Sequence, residues 1–205
     1  MGDVMIRPAT GSDIPYLYEI CLKTGDAGKD ATDKYHDSYL VGQMFAAPYL
    51  FYPDAIALVA EEDSVPRGYI LSAPDTGAFY RWMEEVWLPP LRRRYGVPAA
   101  LAACKSDIER GTLGGVFWVR REEDLPGWLA SYPAHLHIDL LPEIQGRGTG
   151  RALLQAIFDE LRARKVPGLH LGVNGANTGA IAFYKKQGLQ VLENTPWGFN
   201  MGIRF

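Results

Sequence analysis

The chain has 205 residues, 47% hydrophobic and 22% charged, with a formal net charge of −3. These values describe a globular protein long enough to bury a real core, and they exclude an electrostatic nucleic-acid binder, whose domain carries a strong basic excess. Two cysteines, Cys21 and Cys104, have neither the number nor the spacing of a disulfide framework or a thiolate zinc site.

At the N-terminus "MGDVMIRPAT" has no long apolar stretch, and Ile6 stands where a myristoylation signal needs Ser or Thr. No run reaches membrane-spanning length. The expectation is a soluble cytoplasmic protein with no membrane and no nucleic-acid partner, folded as a single domain over residues 1–205.

"VMIRPAT" reads as a strand. The next segment, "SDIPYLYEICLKTG", has helical spacing of Ile14, Leu17, Tyr18 and Cys21, with Ser12 as N-cap and Gly25 as stop. A second helix is predicted over residues 38–46, ending before Pro48. "AIALVAEED" and "RGYILSAP" read as two strands joined by a turn over residues 63–66.

Residues 74–133 break the regular pattern. They are rich in aromatics (Phe79, Tyr80, Trp82, Trp87, Tyr95), helical until Pro89, and then basic. Helices and irregular segments are expected rather than sheet, as an insertion and not a separate domain. The Arg92-Arg93-Arg94 run reads as a solvated helix face.

Regular elements return with "AHLHIDLL", which alternates as a strand. Leu153, Leu154, Ile157, Phe158 and Leu161 form the apolar stripe of a helix starting near Thr149. "GLHLGV" is a further strand, and "NTGAIAFYKKQG" a helix capped by Asn177 and ended by Gly188. "LQVLEN" and "GFNMGIRF" close the chain as a strand pair. The order strand, glycine loop, helix, strand is a βαβ pattern within a mixed α/β (α+β) fold.

The segment "EIQGRGTGRALL" places Gly146, Gly148 and Gly150 just before a helix. A helix N-terminus offers unpaired N–H groups and partial positive charge, and glycines let an anion approach the backbone. Arg147 and Arg151 are expected to add charge there. A P-loop requires Lys-Ser/Thr after its last glycine, and Arg151-Ala152 does not supply it. A dinucleotide fingerprint requires G-x-G-x-x-G, and this loop is G-x-G-x-G.

The string Gln145-x-x-Gly148-x-Gly150 resembles the acetyl-coenzyme A pyrophosphate loop of the GNAT superfamily of N-acetyltransferases. Leu140, Leu141 and Pro142 precede it as in that family. Downstream, Asn177, Ala180-Ile181, Phe183-Tyr184 and Gly188-Leu189 match the family's second motif. The N-terminal "IRPAT" region, "DKYHDSYLVGQMFAAPYLFYP" and "WLPPLRRRYGVP" are similar to bacterial acetyltransferases related to the C-terminal acetyltransferase-like domain of O-GlcNAcase.

The resemblance implies a GNAT fold: a mixed sheet of about six or seven strands, flanking helices and a helical insertion between the third and fourth strands. It implies a V-shaped opening between "HLHIDLL" and "GLHLGV". There, acetyl-coenzyme A as co-substrate would meet the backbone of Ile138, Asp139, Leu140 and Leu141. The amides of Gln145, Gly146, Arg147, Gly148, Thr149, Gly150 and Arg151 would hold its pyrophosphate, with Asn177 and Phe183 alongside; Asn177 reads equally as a plain helix cap. Tyr184 would act on the departing thiolate, since a phenol with a pKa near 10 can protonate it.

An amine acceptor, with a pKa of about 10.4, must lose a proton before attack. His135, His137 and Asp139 share one strand face. Asp139, His137 or a water relay can serve as base, whereas His135 reads as a satisfied structural histidine. No fourth ligand accompanies His-x-His-x-Asp, so no metal is expected. The implied activity is acetyl transfer to a primary amine of a small molecule or peptide. The alternative is a non-catalytic acyl-coenzyme A or protein-binding module. The aromatic insertion and the loop around Trp197 are expected to face the acceptor. Homodimers are frequent in the superfamily and leave the oligomeric state open.

Overall fold

The computed structural model describes residues 2–96, 99–118 and 125–205. Seven strands form one mixed sheet in the order β1-β2-β3-β4-β5-β7-β6. The first three, β1 (Val4–Pro8), β2 (Ile56–Glu62) and β3 (Val65–Ala73), pair antiparallel, and β4 (Ala134–Leu140) continues the antiparallel run beside β3. Strand β5 (Gly168–Asn174) lies parallel to β4, and β6 (Gln190–Thr195) and β7 (Gly198–Arg204) complete the sheet. The expected fold class is therefore observed, with seven strands.

Each sheet face carries its own core. One face packs Leu17, Cys21, Tyr69, Leu71, Phe79 and Leu88, supplied by helix α1 (Ile14–Thr24), the sheet and the 74–133 segment. The other packs Ile70, Leu136, Leu153, Leu154, Ile157, Leu171 and Tyr184 beneath α8 (Thr149–Ala163) and α9 (Thr178–Lys186). Strand alternation divides β4 between them. Leu136 falls on the α8 side, and His135, His137 and Asp139 lie opposite Ala73, Leu71 and Tyr69 of β3.

Several local expectations change. Ser12 does not cap α1: a capping box at Thr10 and Asp13 opens a 3-10 turn over Gly11–Asp13, and α1 follows from it. Asp13 is taken instead by Arg7, through Nη1 and Nη2 at 2.8 Å each. The second helix is shorter, α2 (Leu40–Phe45), and Pro48 starts another, α3 (Pro48–Phe51), because a missing N–H costs nothing at a first helical position. The β2–β3 turn is the two residues Asp63 and Ser64, both with positive φ (52° and 63°), and β3 begins at Val65.

Nor does the helix of the insertion stop at Pro89. It runs from α4 (Thr76–Trp82) through a π-turn at Met83–Trp87 into α5 (Leu88–Tyr95), so that Pro89 and Pro90 fall in the first turn of α5. Two more helices follow, α6 (Ala99–Ala102) and α7 (Asp107–Phe117). The described part of 74–133 contains no strand, as expected. The Arg92–Arg94 run is not a uniformly solvated face. Arg92 pairs with both Glu84 carboxylate oxygens at 2.6 Å and donates to the Val116 carbonyl at 2.8 Å, and Arg94 reaches Asp37 at 3.0 Å. Val97 and Pro98, at the end of that stretch, lie outside the described residues. Among the described residues no helix is long and apolar enough to cross a membrane.

Candidate active site

The two parallel strands barely touch. β4 and β5 pair only at Ala134 with Leu169 and at His135 with His170, and beyond that register they part. The β5-facing edge of residues 136–140 is left without a ladder partner from β5, in the middle of the sheet.

At the open end, Gln145 Nε2 donates to the Leu140 carbonyl at 2.7 Å and ties the glycine loop to the end of β4. Gly146 and Gly148 hold φ of 72° and 84°, which side-chain-bearing residues rarely adopt, and Gly148 is the left-handed N-cap of α8. A Cβ at either would meet nothing within 4 Å, so it is backbone conformation and not crowding that calls for glycine there. Gly150 differs: its missing Cβ would press on Phe183 at 3.3 Å and Leu140 at 3.4 Å. Without a side-chain cap, the first amides of α8 lack intrahelical acceptors. The loop thus fits a pyrophosphate, the group that the sequence resemblance implies. Arg151 is exposed beside it. Arg147 turns away, donating to Glu62 at 2.8 Å and to the Gly2 carbonyl at 2.6 Å. It anchors the loop to the β2–β3 hairpin instead of adding free charge to it.

Across the opening, Asn177 caps α9 by accepting from the Ala180 amide at 3.1 Å. The loop of residues 25–39 comes to meet it, and a Cβ at Gly28 (φ 87°) would lie 2.9 Å from Asn177 Nδ2. Phe183 and Tyr184 follow in α9, their ring centroids 5.5 Å apart. Tyr184 is buried; burial, and then the nearby Asp139 charge, push its phenol well above the ordinary range, so it is a proton donor at neutral pH.

Asp139 accepts from the Tyr69 hydroxyl at 2.6 Å. Burial raises its carboxyl, and the hydroxyls of Tyr69 and then Thr24 pull it back. His137 packs against Phe45 and Tyr49, with centroids 5.5 and 5.7 Å away. Burial and then His170 lower it to about 4, so it is neutral at pH 7. His135 is a core residue: Tyr49 Oη meets its Nε2 at 2.6 Å and Thr76 Oγ1 its Nδ1 at 2.8 Å, which consumes both ring nitrogens. Tyr69, Tyr49 and Thr76 were invisible as site residues in the sequence. The alternation of β3 hints at Tyr69, but only the β3–β4 register places it beside Asp139.

On the far side of the opening, Trp197, 47% exposed, lies over Gly172 of β5. Gly172 is two residues from His170, so Trp197 stands on the same sheet face as His137 and Asp139. Trp82 and Trp87 stack on each other at 6.0 Å within the insertion, and Trp87 neighbours Phe51 at 5.3 Å. The aromatic residues that border His137 are instead Phe45 and Tyr49, which precede the insertion. Among the described residues no three His, Cys, Asp or Glu groups converge as a metal site requires.

The sequence profile of the acetyltransferase (GNAT) family matches residues 102–189. Mycothiol acetyltransferase of Propionibacterium freudenreichii subsp. shermanii is 34% identical over 96 residues, covering 46% of this chain and 29% of that protein. The [ribosomal protein bS18]-alanine N-acetyltransferase of Escherichia coli K12 is 47% identical over 47 residues, covering 23% of this chain and 32% of that one. The matches thus span about a third of these curated relatives. The crystal structure of SsHAT is 33% identical, covers 98% of both chains and superposes with a TM-score of 0.87. The PaiA N-acetyltransferase of Thermoplasma acidophilum, solved in complex with coenzyme A, shares the fold at 16% identity, with 99% of both chains covered and a TM-score of 0.57. With the glycine loop at the head of α8, the parted strands and these relatives together, the chain belongs to the acetyltransferase (GNAT) family.

Proposed function

We propose that this chain, as one domain over residues 1–205, moves an acetyl group from acetyl-coenzyme A to a primary amine by direct attack in a ternary complex, acting in the cytoplasm. The observation that carries this reading is the divergence of β4 from β5 directly ahead of an uncapped glycine turn. Acetyl-coenzyme A, as co-substrate, supplies an activated thioester.

The free backbone edge of Ile138, Asp139, Leu140 and Leu141 binds its amide-bearing arm. The amides of Gln145, Gly146, Arg147, Gly148, Thr149, Gly150 and Arg151 hold the pyrophosphate. Asn177 and Phe183 border the arm from α9, and Phe183 seals the packing against Gly150. Tyr184, kept protonated by burial, donates its hydroxyl proton to the sulfur as the thiolate leaves. His137 and Asp139 line the acceptor side and relieve the ammonium of its proton, directly or through one water. Asp139 is the stronger candidate, because its Oδ2 is fixed by Tyr69 whereas the His137 ring is lowered to about 4.

Relatives named for a ribosomal-protein alanine support a peptide amine or small-molecule amine as acceptor. Two tests separate this reading from a non-catalytic binding module. Calorimetry should show coenzyme A binding; no heat at high concentration would end both the enzyme and the acyl-coenzyme A-binding readings. Tyr184→Phe should lower kcat by about 10²-fold, within the range for a lost acid–base group, and leave coenzyme A affinity within about twofold. A protein without turnover to lose is a binding module.

A further inference from the structure

The loop of residues 25–39 connects, in sequence, two contacts with the candidate site. One end meets Asn177 through Gly28, and the other leads into α2, whose Phe45 packs on His137. What fixes its middle comes from the insertion. Glu109, in the first turn of α7 and only 4% exposed, accepts from the His36 amide at 2.7 Å through Oε1 and meets His36 Nδ1 at 2.9 Å through Oε2. The same Oε2 takes the Lys105 amide at 2.5 Å.

Neighbouring bonds repeat the connection. Tyr35 Oη lies 2.9 Å from Thr112 Oγ1, Ser106 Oγ donates to the Lys34 carbonyl at 2.8 Å, and Tyr95 Oη donates to Asp37 at 2.8 Å. Every one of these partners lies in 95–112, and every tied residue of the loop lies in 34–37. A carboxylate that takes three donors from two segments is a strong local fastener, since bonds to charged groups outweigh neutral ones.

We propose that Glu109 is a positioning residue for the acceptor: the insertion clamps residues 34–37, and so holds the segment that leads into α2 and carries Phe45 against His137 on the acceptor side of the cleft. This rests on the acetyltransferase reading for its kinetic arm only. Hydrogen exchange and calorimetry test the clamp independently of turnover.

In Glu109→Gln the amide NH₂ confronts donors, because Gln offers one acceptor oxygen where Glu offers two. Amides of residues 34–37 should exchange at least about tenfold faster, the equivalent of losing one charged hydrogen bond. Exchange in β4 and residues 144–152 should stay unchanged, and coenzyme A affinity within about twofold. With a lysine-containing peptide and spermidine as acceptors, KM should rise about tenfold or more while kcat changes less than about threefold.

Unchanged exchange at 34–37 overturns the proposal, as does faster exchange spread through the sheet. A fall in kcat at constant KM also overturns it. If neither amine is acetylated by the wild type, the kinetic reading fails and the exchange result still decides the clamp. If Glu109→Gln does not fold, Tyr35→Phe with Tyr95→Phe removes two other ties. That double variant should show the same exchange confined to 34–37, and the absence of such a change overturns the clamp.

Discussion

The coenzyme half of the molecule (β4 to α9) and the insertion half (residues 74–133) solve different problems by different means. In the first, function sits in backbone: a left-handed Gly148, an uncapped helix start and a strand edge left open by β5. These depend on residues close together in sequence. In the second, side chains reach across long separations. Tyr35 meets Thr112, 77 positions away, and His36 meets Glu109, 73 positions away. The coenzyme half is set by local geometry, and the insertion half by a web of buried hydroxyl, imidazole and carboxylate contacts that exists only once the chain has folded.

If that division is right, damage to the web should cost stability and spare the coenzyme. The largest effect is expected for His135→Ala, which orphans the Tyr49 hydroxyl, leaves Thr76 with only its Pro133 carbonyl bond and opens a cavity. Chemical denaturation should show a loss of about 3 kcal/mol, with coenzyme A affinity within about twofold. A tenfold loss of affinity would break the comparison, because it would mean that the two halves share one support.

Acid should act through the same face. The His137 pKa falls from 6.5 unfolded to about 4 folded, so between these values the unfolded chain binds the extra proton. Stability is therefore full above pH 6.5, declines as pH falls towards about 4, and the contribution is fully lost below that. The expected loss from this group is about 3 kcal/mol, and His137→Phe should flatten that part of the pH–stability curve.

On the coenzyme side the prediction reverses. Gly150→Val forces side-chain atoms against Phe183 and Leu140, so coenzyme A should bind about tenfold or more weakly, alongside an overpacking cost of about 1–3 kcal/mol in stability. A variant that melts early but binds normally would show Gly150 to be a packing residue and nothing more. The smallest effect is expected at Arg147. Its guanidinium is committed to Glu62 and the Gly2 carbonyl, so Arg147→Ala should change coenzyme A affinity less than about threefold and stability by under about 1 kcal/mol. A larger loss of affinity would mean that Arg147 leaves Glu62 when the anion binds.

The same contrast explains what the sequence disclosed. Asn177, Gly188 and the glycine loop carry caps and turns whose meaning lies within four residues, and the structure has Asn177 capping α9 and Gly188 with φ 92°. The alternation of β4 was equally readable, and it separated His137 and Asp139 from the apolar face. Partners were not readable, because strand register and inter-helix contacts have no local signature. Tyr69 became Asp139's donor only through β3–β4 pairing, and Arg147 lost its expected role only because the β2–β3 turn brings Glu62 to it. The double proline misled for a local reason of its own: Pro89 and Pro90 normally stop a helix, and here a π-turn precedes them and carries the helix through.

The parting of β4 and β5 has a consequence for the safety of the fold. An open strand edge at a sheet boundary is a template for other chains, and proteins blunt such edges with charge, proline or cover. The inner edge of residues 136–140 has no such device, yet it does not stand at a boundary, because β5, β7 and β6 continue the sheet beyond the gap. A foreign strand could lie along it only by prising the sheet apart, whereas a single slender amide chain needs only the gap that is already there. The molecule keeps its stickiest backbone indoors, where width alone decides what may pair with it.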